Sequence, residues 1–408
     1  MGRLAFLLLV LFSFAVPWEY SLDLGEPLGN VARVLGLLLL LAAVPAVLAR
    51  RGMERPGALQ WLVLALWLYF AGTALWTIDA AATVEKIRAY FQVMMAVWLM
   101  WELAQTEKDL RWLLRAFVAG CWILAALTFV NFLTLTSASA DPVEQIRFVA
   151  EGQDPNDAAR FLDLGFPFAA WLFASEKRWL VRGLALGYLP AGLMAVLLTA
   201  SRGGFSAAIA ALLGSAVLVV VWRPRMGLAT LAGLAAAGGM AFLLVPAESL
   251  QRLATIPEQL GSSDLNDRLN IWIAGWQAFR RAPWLGYGAG TYATAAGLSP
   301  ADTAHNTLVA VLVTGGLAAI AIFLGVFAVT VWAAIQTKGL LRIALITVLA
   351  AWGITSMVGS VEENRMTWLI FGVTALAERL SRSESDSPNW AFSREPETEF
   401  RHRVAELH

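Results

Sequence analysis

From Thr307 to Ile335 the chain reads TLVAVLVTGGLAAIAIFLGVFAVTVWAAI, 29 residues without one ionisable side chain. The hydrocarbon core of a bilayer is about 30 Å thick and takes roughly 20 apolar residues to cross as a helix. In that medium a backbone must satisfy its own hydrogen bonds, so a run of this kind is a membrane helix rather than a strand.

Similar runs lie on both sides of it, separated by charged punctuation. Before it come Leu4 to Val16, Val31 to Ala49, Leu59 to Thr77, Ile87 to Ala104, Trp112 to Leu135, Ala158 to Ala174, Gly183 to Ala200, Phe205 to Trp222 and Leu228 to Val245. After it come Ile343 to Val358 and Met366 to Leu380. The sequence therefore predicts an all-α integral membrane protein of about twelve transmembrane helices. Its polytopic domain covers residues 1–380, an outer loop covers 246–306 between helices nine and ten, and a polar, disordered tail covers 381–408. The first run follows Arg3 but leads into Pro17-Trp18-Glu19-Tyr20, which offers no small-residue cleavage site, so it is predicted to be retained.

Composition agrees. Of 408 residues 59% are hydrophobic and 15% charged, against about 25% charged in a soluble domain. Lys+Arg and Asp+Glu balance at 30 each, so no nucleic-acid partner is expected and membrane lipids are. The single cysteine, Cys121, sits in an apolar run and reads as a small buried residue. Basic residues fix the orientation, because cytoplasmic flanks collect them. With the N-terminus inside, Arg3, Arg50, Arg51, Arg55, Lys108, Arg111, Lys177, Arg178, Arg223, Arg225, Lys338 and Arg342 all fall on the inner side. Both termini are then cytoplasmic.

Within the outer loop, Leu269, Trp272, Ile273, Trp276 and Phe279 recur at helical spacing, with Asp267 as a candidate N-cap and Arg280-Arg281 before Pro283 as the stop. This predicts an amphipathic helix on the outer surface. Gly286, Gly288 and Gly290 then mark an irregular loop.

Ionisable residues at the outer boundary are the candidates for chemistry. His305 precedes the tenth run, where an imidazole titrating near 6.5 can take a proton at neutral pH; the bland reading is an interfacial or capping histidine. Arg202 emerges beside Gly203-Gly204, and Arg268 starts the amphipathic helix; each could instead snorkel or pair with a neighbouring Asp264 or Asp267. Arg147, Arg160, Asn306 and Arg365 complete the group as further substrate contacts. Guanidiniums with a histidine on one face suit a diphosphate leaving group and an incoming hydroxyl. Asp154 and Asp157 read as helix caps, so no metal and no cofactor are expected.

With these residues laid out, the chain resembles the O-antigen ligase and O-antigen polymerase superfamily of bacterial membrane glycan transferases. The resemblance rests on Arg268-Leu269-Asn270-Ile271-Trp272, Ala282-Pro283-Trp284-Leu285-Gly286-Tyr287-Gly288-Ala289-Gly290, His305-Asn306-Thr307-Leu308, Gly315-Gly316-Leu317, Ser201-Arg202-Gly203-Gly204 and Asp154-Pro155-Asn156-Asp157. It implies transfer of a glycan from undecaprenyl diphosphate, without metal or nucleotide, at the periplasmic face of the bacterial inner membrane. His305 would be the base, and Arg202 and Arg268 would hold the diphosphate. The ligase branch, with a lipid A core acceptor, is preferred because a single large outer loop resembles that branch. A polymerase or a protein O-oligosaccharyltransferase is the alternative. A transporter would place ionisable groups near the midplane and show inverted repeats; Glu102 and Asp163 lie near run ends instead, and no repeat is evident.

Overall fold

The computed structural model describes residues 2–25, 28–50, 52–136, 147–256, 268–300 and 302–386. Its helices are α1 (Gly2–Ala15, extended by a 3-10 turn, Val16–Ser21), α2 (Val31–Ala49), α3 (Ala58–Gly72), α4 (Ala80–Leu103), α5 (Glu107–Leu133), α6 (Pro155–Ser175), α7 (Trp179–Thr199) and α8 (Arg202–Trp222). They continue with α9 (Pro224–Leu244), α10 (Ala247–Ala254), α11 (Arg268–Arg281), α12 (Tyr292–Ala296), α13 (Thr307–Gln336), α14 (Gly339–Ser356) and α15 (Arg365–Asp386). Among the described residues there is no β-strand.

Nine of these are long and apolar enough to cross a membrane: α1, α2, α3, α5, α7, α8, α9, α13 and α14. Their outward faces carry large apolar side chains such as Leu41, Leu48, Leu213 and Leu324, the surface expected of helices solvated by lipid. Three more of the predicted runs fold as the long helices α4, α6 and α15 without meeting that standard. For α6 the reason is its place in the bundle. Every residue from Ala158 to Ala174 is buried, because α5, α7, α8 and α14 pack around it. Protein rather than lipid surrounds it, so Arg160 and Asp163 are tolerated. Its contact with α8 is close enough that Gly204, packed on Ala159, has no room for a Cβ.

Short polar side chains set the helix starts. Asp79 accepts from Ala82 N at 3.0 Å, Asp154 from Asn156 N at 2.8 Å, Ser201 from Gly204 N at 3.2 Å, and Asn306 from Val309 N at 3.1 Å. Each occupies one of the unpaired amides that a helix leaves at its start. Thr106 and Asp109 cap α5 reciprocally. α6 is thus capped at Asp154 and begins at Pro155, three residues before the apolar run at Ala158. α15 continues through Asp386, beyond the expected tail boundary at 381, while 387–408 lie outside the described residues.

The run that decided the fold is not one straight helix. α13 breaks at Gly316, whose backbone sits at φ 63 and ψ −164. Segment 283–288 docks against the break: Tyr287 N donates to Val313 O at 3.2 Å, Gly288 N to Thr314 O at 2.9 Å, and Leu317 N to Pro283 O at 2.8 Å. The hydroxyl of Tyr69 donates to Gly315 O at 2.7 Å. An interrupted membrane helix survives only if its freed backbone groups find partners. Here the irregular loop supplies them. Gly286, Gly288 and Gly290 all have positive φ, and a Cβ at Gly286 would run into the Thr314 backbone. The glycine spacing is therefore required by how closely the loop packs.

Candidate active site

Among the described residues, the long connection between α9 and α13 contains two helices besides the expected one, α10 and α12. The predicted amphipathic helix is α11, and Asp264 and Asp267 lie outside the described residues. Its apolar residues do not form one packed stripe. Leu269, Ile273 and Trp276 are exposed, while Gly275 and Ala278 face the protein. Periodicity locates an apolar face but does not say whether lipid or protein covers it.

Trp272 ties α11 to the candidate base. Its indole Nε1 donates to Ala304 O at 2.9 Å, one residue before His305 and one helical turn after Arg268. His305 itself has φ 47, a left-handed conformation that is costly for a side chain with a Cβ. Two flanking features hold it there: Trp272 on one side and the Asn306 cap of α13 on the other. The imidazole makes no hydrogen bond to the described residues. Its pKa is pushed below the usual histidine value by partial burial and then by the cations Arg268 and Arg160, with Asp154 and Asp302 opposing. His305 is therefore neutral at pH 7 and free to accept a proton.

Two guanidiniums, Arg268 and Arg160, act on this imidazole directly, and two more lie behind Arg268. Arg202 lies within reach of the charges of Arg252 and Arg268. Arg160 lies within reach of Arg268, Asp154, Asp163 and Glu362. Burial lowers the pKa of Arg268, with Asp154 acting against it. Arg268 is thus the common electrostatic neighbour of His305 and Arg202. Arg202 NH1 donates to Thr255 Oγ1 at 3.1 Å, just beyond α10. That contact brings in Arg252, which sequence reading overlooked; the only signal was a basic residue on a short helix with Leu250 and Leu253 on its apolar side.

The remaining candidates divide. Asn306 accepts from Val309 N and its Nδ2 donates to Met357 O at 3.2 Å, so it is a cap and a strut beside the site. Arg160 is buried, ion-paired with Asp157, and lies against Gly359. Arg147 donates to Thr199 O at 2.9 Å and to Asn156 Oδ1 at 3.1 Å, bracing the ends of α6 and α7. Arg365 donates to Glu19 Oε2 at 2.5 Å and to Gln92 Oε1 at 2.9 Å. Arg147 and Arg365, marked by sequence position as substrate contacts, are both hydrogen-bonded to protein groups, Arg365 through two of its five N–H donors.

Contacts put the first turns of α4, α6, α8, α13 and α15 at one end of the bundle. Ser201 Oγ and Asn156 Oδ1 are 2.9 Å apart, Thr307 Oγ1 donates to Gly359 O at 2.9 Å, and Lys86 pairs with Glu363. Helix N-termini carry partial positive charge, so this end favours an anion before any arginine is counted. Glu362, on the loop before α15, was also missed. Burial first, and Glu363 second, raise its carboxyl to about 7.

An arginine cluster around a neutral histidine at converging helix starts suits transfer from a phosphorylated donor. Residues 187–324, which hold Arg202, Arg268 and His305, match the family model described as O-Antigen ligase. That segment, about a third of the chain, is similar to the O-antigen ligase and polymerase superfamily. Members of that superfamily are glycosyltransferase-like membrane enzymes. No curated protein matches the chain. The matched segment runs from α7 through the break in α13, so the Gly315-Gly316 interruption and its docked loop fall inside it. Asp154, Arg160 and Glu362 lie outside that segment and reach the cluster through the fold.

Proposed function

We propose that this protein is an O-antigen ligase that transfers a glycan from undecaprenyl diphosphate to the lipid A core oligosaccharide. The carrying observation is the unbonded imidazole of His305 beside the charges of Arg268 and Arg160, with Arg202 in turn beside Arg268. In this reading α4, α6 and α15 cross the inner membrane with the nine apolar helices, both termini are cytoplasmic, and the helix starts around His305 face the periplasm.

The donor diphosphate rests on Arg202 and Arg268, with Arg252 adding charge. A hydroxyl of the acceptor attacks the anomeric carbon from the opposite face. Its proton passes to His305 as the new glycosidic bond forms. The bond to the diphosphate oxygen breaks, and its electron pair leaves on the lipid diphosphate, whose charge the guanidiniums neutralise. One displacement inverts the anomeric centre. Asp154 offsets part of the cationic field on His305, and Trp272 fixes the backbone from which the imidazole projects.

The test uses purified protein in nanodiscs with undecaprenyl-diphosphate-linked O-antigen and lipid A core, comparing wild type with His305→Asn. Asparagine tolerates left-handed backbone, so the variant removes the base without adding strain. Glycan on the lipid A core with wild type, falling by about 10²-fold or more in the variant, is the expected result. Longer chains still on undecaprenyl diphosphate would make the protein a polymerase. Transfer to neither acceptor would refute both and favour a protein acceptor or transport.

A further inference from the structure

A second polar cavity of about 290 Å³ opens beside the cluster, between α4, the turn after α1 and the loop before α15. It lies at the bottom of the roughly 300–1,000 Å³ range of small-molecule sites. One sugar ring fits it better than a lipid does.

Its charges are already spent. Lys86 pairs with Glu363, Arg365 with the fully buried Glu19, and Asp157 with Arg160. The remaining charged wall residue, Glu85, is a carboxylate. No surplus cation faces this space, in contrast to the arginines around His305, so a phosphate would be poorly held here.

Unused hydrogen-bonding capacity does face it. The buried hydroxyl of Ser360 has no hydrogen-bond partner among the described residues. The Asn364 amide likewise makes no side-chain hydrogen bond to them. Arg365 uses two of its five N–H donors on Glu19 and Gln92. Buried polar groups left unbonded in a protein are costly, which implies a polar occupant. The half-exposed ring of Tyr20 adds an apolar face with a polar edge.

The cavity is also fastened to the base. Asn306 Nδ2 donates to Met357 O at 3.2 Å and Thr307 Oγ1 to Gly359 O at 2.9 Å, while Val361 N donates back to Thr307 Oγ1 at 2.9 Å. Asn306 and Thr307 follow His305 in the chain, while Met357 and Gly359 precede Ser360 and Val361 lies between Ser360 and Asn364.

We infer that this cavity is the acceptor subsite and takes an uncharged, hydroxyl-rich sugar residue, held by Ser360, Asn364 and Arg365 with its hydroxyl toward His305. The inference rests on the transferase reading. The diphosphate and the acceptor sugar then occupy separate sites, one cationic and one without a surplus cation.

The test is saturation-transfer NMR in nanodiscs, prepared without glycoside detergents, on wild type, His305→Asn, Asn364→Leu and Ser360→Ala. The probes are uncharged methyl glycosides of glucose, galactose, mannose and N-acetylglucosamine, with inorganic pyrophosphate as the anion. At least one glycoside should bind wild type and His305→Asn alike, lose several-fold of its signal in Asn364→Leu and Ser360→Ala, and survive added pyrophosphate. Pyrophosphate binding should be the same in all four proteins, which also shows that the variants are folded. Absence of glycoside binding, equal binding in the two cavity variants, or displacement by pyrophosphate overturns the inference. In the transfer assay, Asn364→Leu should raise the acceptor KM about tenfold at unchanged donor KM. Glycoside binding without any transfer would sink the ligase reading and leave the sugar site standing; transfer with an unchanged acceptor KM would do the reverse.

Discussion

Trp272→Phe tests whether α11 positions the base. The substitution keeps an aromatic ring in place and deletes only the Nε1 donor to Ala304 O, a 2.9 Å bond to a residue that is 1% exposed. A net hydrogen bond is worth about 0.5–1.5 kcal/mol, and leaving a buried carbonyl without its donor costs about 1–3 kcal/mol. The next residue is held at φ 47, where a non-glycine backbone carries about 1–2 kcal/mol of strain. Removing the hold lets that strain relax toward an ordinary backbone. The imidazole then swings away from the acceptor hydroxyl.

A penalty of about 1–3 kcal/mol on the held conformer corresponds to a fivefold to hundredfold fall in turnover, at 1.36 kcal/mol per tenfold. The measurement is kcat in the nanodisc transfer assay, together with donor affinity. Turnover should fall while donor affinity holds, because Arg202 and Arg252 stand on other helices. Adding His305→Gly at the Trp272→Phe background should cost no more than His305→Gly alone. Wild-type turnover in Trp272→Phe would refute the claim that this bond sets the base.

Three further outcomes follow from the same geometry. His305 has a folded pKa below its unfolded 6.5, so turnover should rise with pH through a limb below 6.5; at saturating donor, Arg268→Gln removes a cation and moves that limb up, whereas Asp154→Asn moves it down, as kcat–pH profiles would record. Glu362 titrates near 7 in the fold against 4.5 when free, so the protein loses stability as pH rises from 4.5 through 7; Glu362→Gln should raise the melting temperature at pH 8 and leave it nearly unchanged at pH 4. Tyr69→Phe removes the donor to Gly315 O and Leu285 O, so hydrogen exchange across residues 283–290 should speed up by about fivefold for a bond worth ~1 kcal/mol, and unchanged protection would mean the loop is held by its backbone bonds alone.

The membrane architecture could be read from the chain because the bilayer imposes it residue by residue. A 29-residue run without charge has few alternatives to a helix in lipid. The start of α6 was legible where Asp154 stood ahead of its apolar run, since capping is local chemistry. Local rules also placed α11 and its stop at Arg281. They misjudged its packed face, because an apolar side chain serves equally against lipid and against protein.

What the sequence determined by itself was an all-helical fold with its nine long apolar helices and a short group of candidates, His305 with Arg202 and Arg268. Tertiary structure alone decided which candidates share a field. It set Arg160 beside His305, Arg252 beside Arg202 and Glu362 beside Arg160, and it hydrogen-bonded Arg147 and Arg365 to protein groups. It alone interrupted the most apolar run at Gly316 and filled the gap with residues 283–288. The reason is that hydropathy and capping act over a turn or two of chain, whereas charge coupling and backbone satisfaction at a broken helix depend on which helices stand side by side.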